Sequence, residues 1–156
     1  MNDPQNDAVL SVENISVGYG NGSILKNIHA EFARNKVTAL MGPSGCGKST
    51  FLRVLNRTLE LIPGAVIKTG KVYYHGRDIY SPDMDAQSVR TRIGIVQQRP
   101  LPFPMSIREN VLFGARFHNK VNKHNRKEFV RQLLEKTGLW EEVAERLDSS
   151  AGGLSI

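Results

Sequence analysis

Val37-Thr38-Ala39-Leu40-Met41-Gly42-Pro43-Ser44-Gly45-Cys46-Gly47-Lys48-Ser49-Thr50 is the stretch whose reading decides the fold. Its first five residues are mostly apolar, as expected of a strand buried on both faces. The next eight, Gly42 to Ser49, match G-x-x-x-x-G-K-[ST] at every fixed position. After them Phe51, Leu52, Leu55 and Leu59 recur at helical spacing. Strand, glycine-rich loop and helix in that order predict a phosphate-cradling loop. Glycines let the backbone wrap with N–H groups inward, and the helix N-terminus adds positive potential. Lys48 is placed to supply a point charge to the β- and γ-phosphates of a nucleotide, and Ser49 a hydroxyl to Mg²⁺. Pro43, Ser44, Cys46 and Thr50 complete the expected lining, Cys46 through its amide rather than its thiol. A chance glycine turn with these fixed residues is expected at about one in 10⁴ start positions, given glycine usage of ~7%. The motif alone leaves kinases, GTPases, helicases and transport ATPases open.

Working outward, Val9 to Val17 alternates in the manner of a strand, Gly18 to Gly22 marks a turn, and Ile24 to Phe32 reads as a second strand. Pro63-Gly64 ends the helix that follows the loop. Val66 to Tyr74 and Arg77 to Tyr80 predict a small antiparallel patch, and Arg92 to Val96 a further core strand. Gln97 to Pro104 contains three prolines, which remove donors and preclude regular structure. Ser106-Ile107-Arg108-Glu109 reads as a capping box opening a helix. Further helices are predicted over Asn125 to Lys136 and Leu139 to Leu147, with Gly138 as the C-cap between them. The expected architecture is α/β through about residue 105 and helical over 106–156.

The chain has 156 residues, 40% hydrophobic and 23% charged, as in globular proteins of one-domain size. No apolar run is long enough to span a bilayer, and Met1 to Asp7 lacks the basic start and apolar core of a signal peptide. These features predict a cytoplasmic chain that reaches a membrane only through a partner. The formal charge is +6, with a mild cluster at Lys120, Lys123, Arg126, Lys127 and Arg131. No aromatic residues interleave with that cluster in the single-strand-binding manner, so nucleic acid is not expected as a partner. The lone Cys46 excludes an internal disulfide and a cysteine-built metal site, and the four histidines have no ligand spacing.

From about Val9 to Ser155 the sequence resembles the ATP-binding subunits of ABC transporters. The segments Gly42 to Arg53, Leu55-Asn56-Arg57, Leu61 to Ala65, Asp78-Ile79-Tyr80 and Pro102 to Ile107 resemble the phosphate-importer subgroup. The resemblance implies an incomplete P-loop ATPase core with an antiparallel β subdomain and the start of a helical subdomain. It implies ATP and Mg²⁺ as cofactors, with Tyr19 stacking on adenine, where an aromatic face gains contact area. It makes Gln98, rather than its neighbour Gln97, the glutamine that reaches Mg²⁺ and the attacking water. The Gln98 loop would lean on integral membrane permease subunits, holding the protein on the inner face of the cell membrane. Two full-length subunits would pair around two ATP molecules.

Leu154-Ser155 begins like the family's Leu-Ser-Gly-Gly-Gln signature, but Ile156 follows. The apolar strand ending in Asp-Glu and the later switch histidine are not among the 156 residues, so no catalytic residue is assigned. Binding without hydrolysis, and exposed edges on the strands over 37–41 and 92–96, are the resulting expectations. A non-catalytic nucleotide-binding module and a small-molecule kinase are the competing readings. The proline loop and the long segment between Ser49 and Gln98 speak against the kinase.

Overall fold

The computed structural model describes residues 8–154; Met1 to Asp7 and the Ser155-Ile156 end of the signature match lie outside them. They fall into two compact units, which divide between Val96 and Gln97.

The first unit is built on a four-stranded antiparallel sheet in the order β2-β1-β3-β4. β1 (Ala8–Tyr19) is central and pairs with β2 (Leu25–Ala33) on one side and β3 (Ala65–Tyr74) on the other. β4 is only Arg77–Asp78, shorter than the strand expected through Tyr80. Val12, Ile15 and Val17 of β1 are buried in the core with Leu25 and Val72; a register shift between Val12 and Ile15 offsets their odd spacing. Helix α1 (Lys48–Leu55) covers that face with Phe51, Val54 and Leu55. Burying each such side chain stabilises by roughly 1.5–3 kcal/mol, an upper estimate against a compact unfolded chain.

α1 ends sooner than its apolar spacing predicts. Asn56 is the C-cap, Arg57 takes a left-handed φ of 60°, and Leu59 is buried from a 3-10 turn over Thr58–Leu61. Arg57 has reason to be held there. Its guanidinium donates to the carbonyls of Ile79 (2.8 Å) and Met84 (2.6 Å), forks onto Glu60, and lies 5.1 Å from the centre of the Tyr80 ring. Tyr80 in turn donates its hydroxyl to the carbonyl of Val54 at 2.7 Å. Helix α2 (Ala86–Arg92), not foreseen from sequence, follows, with Asp85 accepting from the Ser88 N–H at 2.7 Å as N-cap.

Two expected strands are absent. Val37 to Met41 and Ile93 to Val96 take no strand conformation, and Val37, Met41 and Val96 are among the most exposed apolar residues of the chain. The physical reason is pairing. A strand persists when its N–H and C=O groups meet a neighbour, and none of the described residues pairs with either segment. Their apolar composition marks them for burial; Ile93 packs against the core of this unit, whereas Val37, Leu40, Met41 and Val96 stay exposed.

The second unit is helical: α3 (Ile107–Phe117), α4 (Arg126–Lys136) and α5 (Trp140–Val143). Ile107, Leu112, Val130, Leu134, Val143, Leu147 and Ala151 form its core. Ser106 caps α3 by accepting from the Glu109 N–H at 3.2 Å, one half of the expected box; the Glu109 carboxylate pairs with Arg116 instead of returning to Ser106. Gly138 at φ 72° turns the chain out of α4, with the Leu139 N–H donating to Leu134. Leu139 to Leu147 is a short helix continued by a 3-10 turn rather than one helix.

Candidate functional site

Residues 42–49 form a folded loop rather than an extended connection. Gly42, Gly45 and Gly47 all have positive φ (156°, 81° and 99°), which lets the chain reverse direction within a few residues. Gly47 is the N-cap of α1 and leaves no room for a side chain: a Cβ there would sit 2.7 Å from Leu25 Cδ2. A Cβ on Gly42 would sit 2.9 Å from Cys46 Sγ. The first helical hydrogen bond runs from the Phe51 N–H to the Gly47 carbonyl at 2.8 Å. The amides of Lys48, Ser49 and Thr50 therefore have no helical acceptor, and the helix dipole points its positive end at the loop.

Lys48 folds back over the loop. Its ammonium donates to the carbonyls of Gly42 (2.8 Å) and Pro43 (2.6 Å), and Cys46 Sγ lies 3.7 Å away. The cation is thus held against the loop by two backbone carbonyls that an anion's oxygens can replace. Pro43, Ser44, Cys46 and Ser49 are exposed, whereas Thr50 is buried and faces the core. Beside the loop lies an open cleft of about 260 Å³, walled by Leu25, Ile28, Leu40, Met41, Phe51 and the Lys48 stem among others. Sequence reading missed this cleft, because Leu40 and Met41 of its wall were expected in a strand buried on both faces.

Tyr19 stands at the end of β1, half-buried and paired with Ala65 of β3. It begins a turn closed by the Gly22 N–H donating to the Tyr19 carbonyl at 2.9 Å. The Gly22 carbonyl accepts from the Lys68 ammonium at 3.0 Å. Tyr19 and the glycine loop share the first unit. Gln98 is exposed, lies between α2 and α3, and belongs to the second unit, as does Gln97. The predicted site residues that share one unit are therefore Tyr19 and those of the loop and the first turn of α1. Among the described residues there is no cluster of three or more His, Cys, Asp or Glu placed to hold a metal ion, and no helix is long and apolar enough to cross a membrane.

Comparison with known proteins bears on the whole chain. Residues 25–156 match the ABC transporter family model. The phosphate import ATP-binding protein PstB of Thermotoga maritima is 43% identical over 149 residues, covering 96% of this chain and 59% of that protein. Its counterpart in Synechococcus sp. (strain CC9605) is 46% identical over 96% of this chain and 54% of its own length. That in Borrelia garinii subsp. bavariensis is 43% identical over 97% and 58%. The chain thus spans a little over half the length of these relatives. Among solved structures, cbiO1 of Clostridium perfringens, part of the ABC transporter complex cbiONQ, superposes with a TM-score of 0.76 at 30% identity, over 96% of this chain and 56% of that one. A bacterial Atm1-family ABC exporter with ATP bound gives 0.74 at 26% identity, over 94% and 24%. With the glycine loop and its helix built as described, and a family match over most of its length, the chain belongs to the ABC transporter family, as an incomplete P-loop ATPase core similar to the phosphate import ATP-binding proteins.

Proposed function

We propose that this chain is the nucleotide-gripping part of the ATP-binding subunit of an ABC importer whose cargo is inorganic phosphate. One observation carries the reading: residues 42–49 fold, with positive φ at Gly42, Gly45 and Gly47, into a tight loop at the N-terminus of α1, and the Lys48 ammonium reaches back onto its Gly42 and Pro43 carbonyls. In this reading Gly42 to Thr50 wrap the polyphosphate, Lys48 leaves the Gly42 and Pro43 carbonyls for the β- and γ-phosphates, and Tyr19 stacks on the base. The residues fit a nucleotide with its cation: the Lys48 ammonium rests only on carbonyls of the loop, and the first-turn amides of α1 have no helical acceptor, so both are free to meet phosphate oxygens. Ser49, exposed in the first turn of α1, would offer its hydroxyl to Mg²⁺, which when bound neutralises phosphate charge.

In the same reading, the region through residue 105 serves as the core with its β subdomain, and 106–156 as the start of a helical subdomain. Phosphate as cargo is supported by the names of the curated relatives and by the segments that resemble theirs. The Gln98 loop contacts integral membrane permease subunits, placing the protein on the inner face of the cell membrane, and full-length subunits pair as a homodimer. Residues 1–156 include no apolar strand ending in Asp-Glu to polarise water. They bind ATP without turning it over.

The test is thermal melting with and without Mg-ATP. A ligand at 100 times its Kd stabilises the native state by about 2.7 kcal/mol, and so raises the Tm by roughly 5–10 °C for a domain of this size. Wild type should show this rise without releasing phosphate, and Lys48→Ala should lose most of it. An equal rise in both proteins, or steady turnover abolished by Lys48→Ala, would overturn the proposal.

A further inference from the structure

The geometry assigns Lys68, a residue with no part in the phosphate-binding motif, as a positioning residue for the base end of the nucleotide site. The inference rests on reading Tyr19 as the platform for adenine. Lys68 lies on β3, and its side chain crosses Gly18 of β1. A Cβ built on Gly18 would meet the Lys68 Cε at 2.6 Å and its Nζ at 2.9 Å, and the Gly22 carbonyl oxygen at 2.0 Å. Gly18 is buried, so the lysine stem and the returning turn both occupy the space that its missing side chain leaves. Beyond Gly18 the ammonium donates to the Gly22 carbonyl at 3.0 Å, its polar partner among the described residues.

That carbonyl belongs to the residue whose own N–H closes the turn onto the Tyr19 carbonyl at 2.9 Å. On the other side the Gly20 N–H donates to Gly64 at 3.2 Å. Lys68 is thus a strut from β3 to the turn that starts at Tyr19. An aromatic platform gains from being fixed before the base arrives, since ordering it on binding would subtract from affinity. The strut touches neither the loop over 42–49 nor α1 through any recorded hydrogen bond among the described residues, so its effect is confined to the base end.

The experiment uses the 156-residue chain with Lys68→Met, which keeps the stem and removes the ammonium, and Lys68→Arg, which restores a donor. Calorimetric titration compares Mg-ATP with Mg-tripolyphosphate, a ligand that has the phosphates but no base. Hydrogen exchange at the Gly22 amide reads the turn without any ligand. Having to order the Tyr19 platform on binding, at the cost of one immobilised side chain, predicts a loss of about 5-fold in ATP affinity for Lys68→Met. Tripolyphosphate affinity should be unchanged, Gly22 exchange should quicken, and Lys68→Arg should recover most of the loss. Equal weakening of both ligands would mean that Lys68 acts as a charge on the phosphates, and would overturn the inference. So would unchanged Gly22 exchange. ATP binding no tighter than tripolyphosphate in wild type would instead remove the adenine reading of Tyr19, and the inference with it, even where Gly22 exchange quickens.

Discussion

Replacing Gly47 by alanine separates two costs that the loop combines. Gly47 has φ 99°, a conformation that costs an L-residue roughly 1–2 kcal/mol. Its new Cβ would also sit 2.7 Å from Leu25 Cδ2 and 3.2 Å from Ile24 Cγ2. Leu25 is 6% exposed and packed in the core, so it cannot swing aside cheaply. Overpacking of this kind adds about 1–3 kcal/mol, and the stiffer unfolded chain returns about 0.4–1 kcal/mol. The net prediction is a loss of roughly 2–4 kcal/mol. Gly45 provides the control: its φ is 81°, yet a Cβ there meets nothing within 4 Å. Gly45→Ala should therefore cost only the backbone share, about 1 kcal/mol net. Urea unfolding followed by far-UV circular dichroism measures both. Equal losses for the two variants would refute the reasoning, because the structure assigns the difference to a single contact with Leu25.

The Arg57 cluster makes two further predictions. Arg57→Ala removes charge-assisted donors from the Ile79 and Met84 carbonyls in a half-buried setting, and should cost about 2–3 kcal/mol by the same unfolding measurement; a change within error of zero would count against the clamp. Burial, with the Glu60 carboxylate next in weight, raises the Tyr80 phenol well above its ordinary 10. Below pH 10 the group is protonated in both folded and unfolded chain, and its contribution is whole. As pH rises past that value the unfolded chain releases the proton while the folded chain keeps it, so stability falls. The stability advantage of wild type over Tyr80→Phe, about 1 kcal/mol at neutral pH from the bond to Val54, should therefore shrink between about pH 9 and pH 11. A constant difference across that range would contradict it.

What the sequence discloses here depends on whether a feature belongs to one segment or to a pair. The glycine loop is legible because its residue types are demanded locally, by positive φ and by backbone that must approach a ligand. β1, β3 and α4 are legible from periodicity for the same reason. The segments Val37 to Met41 and Arg92 to Val96 show the opposite case. Their apolar runs read as strands, but strand structure is a property of two partners, and no described residue supplies the second. Helix α2 escaped notice because Val89 is its one buried residue, too little to set a period. Lys68 had no sequence signal at all: a lysine on a strand looks like any solvated one until the empty space over Gly18 is seen. Tyr19 and Gln98 became candidates through family resemblance, and the fold brings only Tyr19 into the same unit as the loop.

The most direct test of the central claim follows the backbone amides of residues 42–50 by nuclear magnetic resonance during titration with Mg-ATP. The account predicts that the amides of Gly45, Cys46, Gly47, Lys48 and Ser49 shift together along one saturating curve, and that Lys48→Ala weakens that curve by at least tenfold. Saturation that leaves those amides unmoved, or an unchanged curve without the Lys48 ammonium, would contradict it.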